Sequence, residues 1–155
     1  MVNYQTDLDP TTVEVDGSMT GVNVTEVIET VIDSLDQTDS AMVTQQEGGK
    51  IWKFKYGSVE VFVQLTGTTD EDTFTVWAAV LNLPAKNEAV LMRKLMEMNW
   101  ANTFEARFGI FNNQVTVLST RTIAEISPGE ISRLITVVAS IADENDEALQ
   151  AEFSA

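Results

Sequence analysis

Between Met42 and Leu83 the apolar residues recur at every second position, whereas on either side of that block they recur at every third or fourth. A period of two belongs to strands with one wet face, and a period near 3.6 to amphipathic helices, so the change of period dictates the layers available to the chain. The helical pattern comes first. From Val24 the residues Val27, Ile28, Val31, Ile32 and Leu35 share one face and Glu26, Glu29, Asp33 and Asp36 the other, with Asn23 placed to cap the start.

The strand block reads as Met42 to Glu47 and Lys50 to Tyr56 around a Gly48–Gly49 turn, then Val59 to Leu65 after Gly57 and Ser58, then Thr73 to Leu83 after a polar loop. Trp52, Phe54 and Tyr56 alternate with Lys53 and Lys55, so one face is buried and one wet. Pro84 ends the block. A second helix is predicted from about Asn87 to a left-handed stop at Asn99, and a second hairpin, Phe104 to Phe111 with Gln114 to Thr120, turns at Asn112 and Asn113. Ser127, Pro128 and Glu130 announce a third helix whose buried stripe is Ile131, Leu134, Ile135, Val138 and Ile141, with an acidic end from Asp143 that either continues helical or frays. The expected fold is α+β, an antiparallel sheet with helices on one face in the order α, three or four β, α, two β, α. Residues 1–22 read as a flexible leader and 23–155 as a single domain with an acidic C-terminal end, a size that buries a sizeable core without staples.

Composition narrows the chemistry. The chain has no cysteine and no histidine, which removes disulfides, thiolate nucleophiles, Cys or His metal sites, and every triad built on imidazole. Carboxylates, lysines, tyrosines and hydroxyls remain. The net charge of −15 is unevenly placed: residues 1–49 hold ten acids and no base, residues 134–155 five acids and no base, and the segment between them balances nine against nine. Such a chain repels phosphate and anionic lipid, so neither nucleic acid nor membrane is an expected partner. No apolar run approaches the roughly 20 residues of a membrane helix, and no basic, then apolar, signal opens the sequence, so a cytoplasmic protein is expected.

The acid clusters Asp70–Glu71–Asp72 and Asp143–Glu144–Asp146–Glu147 lack the ligand alternation, central Gly and distal Glu of a calcium loop, and Gly48–Gly49 lacks the helix and lysine of a phosphate loop. No metal, no cofactor and no catalytic residue is expected.

Several stretches resemble the YbjN-domain family, which shares the fold of the type III secretion chaperones. They are Trp52 to Gly57, the leucine-rich segment Leu91 to Asn99, the hairpin of Phe104, Ala106, Arg107 and Phe108 with Val115 to Leu118, and the third helix through Ala142 and Asp143. The resemblance spans about residues 24–146. It implies a compact α+β protein, commonly dimeric, that binds protein segments in a chaperone-like or regulatory role, and it carries no catalytic residues.

Three helices cover one face of a sheet, so the other should read polar. Here it does not. If Phe74, Val76, Ala78 and Val80 face the helices, then Trp77, Ala79 and Leu81 face away, with Phe62 and Leu118 as companions on neighbouring strands. On the second helix Leu91 and Leu95 read as core, and Met92, Met96 and Trp100 as a second candidate contact. The expected function is a non-enzymatic protein-binding domain, acting as a homodimer through these residues. The alternatives are a small-ligand or carboxylate-based protein with two acids in a deep pocket, and a subunit of a larger complex.

Overall fold

The computed structural model describes residues 23–155; the leader expected over residues 1–22 lies outside the described residues. Helix α1 (Val24–Leu35) starts where Asn23 Oδ1 accepts the Glu26 amide, 3.2 Å away, and it buries Val24, Ile28, Val31 and Ile32. Four strands follow, β1 (Met42–Gln46), β2 (Gly49–Tyr56), β3 (Val59–Leu65) and β4 (Thr73–Asn82). Helix α2 (Glu88–Ala101), the hairpin β5 (Arg107–Phe111) and β6 (Gln114–Thr122), and helix α3 (Pro128–Phe153) complete the order. The strands form one antiparallel sheet of six, ordered β1-β2-β3-β4-β6-β5. This is the α+β architecture the periods require.

Alternation explains the core. Val59, Val61, Val63 and Leu65 of β3, Phe74, Val76 and Ala78 of β4, and Val115 and Val117 of β6 lie on one face and are buried. Helix α3 lies across β4, β3 and β6, and α1 packs on α3. Glu29 of α1 also accepts the Trp52 indole N–H at 3.0 Å, tying that helix to β2.

Three local expectations change. In the first hairpin the turn is made by Glu47 and Gly48, and Gly49 opens β2 with φ +113°; a Cβ there would overlap the Leu65 carbonyl oxygen, so glycine is required. The second helix does not stop at Asn99 but runs to Ala101, because Asn99 has another task. Its side chain accepts the Phe108 amide at 2.7 Å and donates to the Phe108 carbonyl at 3.3 Å, satisfying backbone groups of the sheet's edge strand. Phe104, expected to open a strand, instead sits at φ +52° in the connection, and β5 begins at Arg107.

Of the two outcomes open for α3 after Asp143, the helical one holds. It continues to Phe153 because Asp146, Leu149 and Phe153 are buried, the last two extending the apolar stripe by further turns. Ser58, in the β2–β3 turn, donates its hydroxyl within 3.0 Å of the carboxylates of Asp143 and Asp146, anchoring those acids. The second hairpin turns as expected, with Asn112 and Asn113 both at positive φ.

The β3–β4 loop is held by Asp72, which accepts the Thr69 amide and the hydroxyls of Thr69 and Thr66. The Thr69 amide leads these bonds in holding the carboxyl below its ordinary value of 3.8. A depressed carboxyl contributes stability above its unfolded pKa and loses it as pH falls through the folded one. Asp72→Asn is therefore expected to lower the melting temperature at pH 7, with the gap from the parent closing below about pH 3.8; a gap independent of pH would mean that charge plays no part.

Candidate functional site

The face of the sheet away from α3 carries the candidate site. Strand register makes one continuous row across it: Met42 opposes Lys53, Lys53 opposes Phe62, Phe62 opposes Trp77, Trp77 opposes Leu118, and Leu118 opposes Arg107. Directly paired residues point to the same side, so these six side chains share the outer face. Phe62 and Trp77 stack with ring centroids 5.2 Å apart, and Phe111 meets Trp77 edge-on at 6.2 Å. Pairs of this kind hold aromatic rings in place without burying them. Phe62, Trp77, Ala79 and Leu118 all remain partly exposed, and Phe111 is exposed.

Between Trp77, Leu118 and Phe111 runs an open groove of about 290 Å³, floored by Thr116. Gly109 leaves it open: a Cβ at that position would stand 3.0 Å from the Leu118 Cδ2 atom. The groove is predominantly apolar, the composition suited to receiving an apolar side chain from another molecule.

Leu81, expected on this face, is not there. Ala79 pairs with Thr116 and Leu81 with Val115, so Val80 is an extra residue, and the bulge turns Leu81 toward the helices, where it is buried. The sequence alternates through the bulge without a mark, so periodicity alone carries the wrong face past it.

Met92, Met96 and Trp100 fall four residues apart along α2 and form a separate stripe. Met92 is half-buried, but Met96 is 65% and Trp100 93% exposed, while the neighbouring Leu91 and Leu95 are core as expected. The structure thus divides the seven candidate residues into two surfaces, Phe62, Trp77, Ala79 and Leu118 on the sheet and Met92, Met96 and Trp100 on the helix. Phe111 and Gly109 were missed, since their membership depends on which edge β5 occupies. The Asn112–Asn113 hairpin was visible, but the pairing of β6 with β4 was not.

Two carboxylates elsewhere are held by ion pairs. Glu105 and Glu130 line a depression of about 360 Å³ with Arg121 and Arg133. The Arg133 guanidinium holds the Glu105 carboxyl below its ordinary value, and the Ser127 amide does the same for Glu130. A general acid near neutral pH needs the opposite shift. Among the described residues no group of three or more acids is gathered to hold a metal ion, and no helix is long and apolar enough to cross a membrane.

The model of the YbjN family, described as "Putative bacterial sensory transduction regulator", matches residues 25–151. A chain in the crystal structure of the ExsC–ExsE complex has a similar fold, with a TM-score of 0.57 and 15% identity, over 82% of this chain and 96% of that one. No curated protein matches.

Proposed function

This chain belongs to the YbjN family, and from that premise we propose that it is a non-enzymatic protein-binding domain, chaperone-like or regulatory, that works as a homodimer in the cytoplasm. The observation that carries the reading is the aromatic cluster of Phe62, Trp77 and Phe111 on a sheet face that, among the described residues, the helices leave uncovered. Contiguous apolar surface of this kind marks an interface far more often than a lone exposed residue does. The match in fold to a chain crystallised in the ExsC–ExsE complex supports the reading, since that chain too belongs to an assembly of proteins. The lowered carboxyls of Glu105 and Glu130 weigh against a carboxylate-based enzyme.

The two surfaces suit two tasks. The stripe of Met92, Met96 and Trp100 is bordered by the Arg93–Glu97 and Lys94–Glu152 ion pairs, so its rim is electrically balanced. Two copies of a chain with net charge −15 meet with least repulsion where each presents such a neutral rim. The α2 stripe is therefore the homodimer contact, and the sheet face is left for the protein partner. Trp100→Asp combined with Met96→Asp is expected to convert a dimer to a folded monomer in light scattering, weakening association by a factor of about 100 or more, since a buried aromatic anchor contributes ~2–4 kcal/mol. A parent chain that is purely monomeric, and that recovers no protein from an extract of its host, would defeat the whole reading.

A further inference from the structure

The outer sheet face differs in charge from the rest of the molecule. Among the described residues its strand positions carry Lys53, Lys55 and Arg107 against the single acid Glu60, in a chain whose net charge is −15. Glu60 is paired with Lys53 at 3.6 Å. The cations are not scattered: Lys53 and Arg107 close the two ends of the Phe62–Trp77–Leu118 row, one strand beyond it on each side.

We propose that this face docks an acidic, apolar segment of a partner protein, in which carboxylates flank a short apolar stretch. The proposal rests on the protein-binding reading above and adds the partner's chemistry. Lys53 and Arg107 are four strand spacings apart, about 19 Å, a distance an extended chain spans in five to six residues. A segment with acids that far apart lays its apolar residues over Phe62, Trp77 and Leu118 and presents a carboxylate to each cation. One apolar side chain enters the groove left open by Gly109. A second copy of this chain is the wrong occupant, because facing two such sheets brings cationic rows together. The partner's acids distinguish this face from the neutral α2 stripe.

The test uses the full chain and two labelled peptides, one with Asp on either side of a Leu-Phe-Val-Leu stretch and one with Lys in place of both Asp. Fluorescence anisotropy is expected to give the Asp peptide an affinity about tenfold higher, a preference that shrinks with added salt. Lys53→Glu with Arg107→Glu is expected to reverse the preference while circular dichroism stays unchanged. Equal or tighter binding of the Lys peptide would overturn the charge preference and leave the protein-binding face standing. If neither peptide binds and no partner is captured from extract, both readings fall. Carbodiimide cross-linking supplies a further check on the free chain. Lys53 joined to a carboxylate of residues 1–22 would make the chain's own leader the occupant, and Trp77→Asp dissociating the dimer would make it a second copy; either result overturns the proposal.

Discussion

Trp77→Asp is expected to abolish capture of protein partners while leaving the chain folded. Trp77 lies in β4 next to Val76 and Ala78, which are fully buried on the helix side, yet its own side chain points the other way and stays half-exposed. Its removal leaves no internal cavity. What is lost to the fold is its stacking on Phe62 and its edge contact with Phe111, worth roughly 0.5–1.5 kcal/mol each. Against a domain stability of ~5–15 kcal/mol that loss is tolerable, and far-ultraviolet circular dichroism should be unchanged. Binding suffers more. Trp77 is the centre of the outer row, and placing an unpaired carboxylate beneath a desolvated contact adds a charge penalty to the loss of an aromatic anchor. An affinity loss of about 100-fold or more follows, measurable as the disappearance of partners from a pull-down. Collapse of the circular dichroism signal would instead make Trp77 part of the core, and unchanged capture would remove it from the interface.

How much of this was legible depended on whether the determining contact is local. The helix caps at Asn23 and Ser127, the Asn112–Asn113 turn and the inward faces of β3 and β4 follow from residues a few positions apart, and periodicity finds them. The candidate row Phe62–Trp77–Leu118 was also visible, since alternation fixes which side each residue shares with its neighbours two along. Arg107 and Lys53 were not visible as its ends, because that requires the strand order, in which β6 inserts between β4 and β5. The bulge at Val80 hid for a related reason: it is defined by the register of β4 against β6, and both Val80 and Leu81 are apolar whichever face they take. Asn99 looked like a helix stop because asparagine favours that position, yet its partners are the backbone groups of Phe108 across the connection to β5.

The acidic end of α3 is where local reading left two outcomes open, and it supports the other large prediction. Runs of Asp and Glu suggest a solvated helix end, but on a helix the spacing Ile135, Val138, Ala142, Leu149 and Phe153 keeps returning to the sheet, and the acids occupy the turns between. Phe153 is 1% exposed, and the Lys94 ammonium lies 5.7 Å from its ring. Its carbonyl accepts the Lys86 amide at 2.7 Å, and Ser154 bridges to Ala85, so the end of α3 fastens the entry to α2. Phe153→Ala is expected to cost ~3–5 kcal/mol, a lost ring plus the cavity it leaves, enough to bring a domain of ordinary stability close to unfolding. The chemical denaturation midpoint should fall accordingly, and hydrogen exchange should quicken in α2 as well as in the last turns of α3. A change below about 1 kcal/mol would mean that the helix end is peripheral after all, as its charge suggests. Because α2 carries the proposed dimer contact, loosening its entry should also weaken the dimer, although neither Met96 nor Trp100 has been altered.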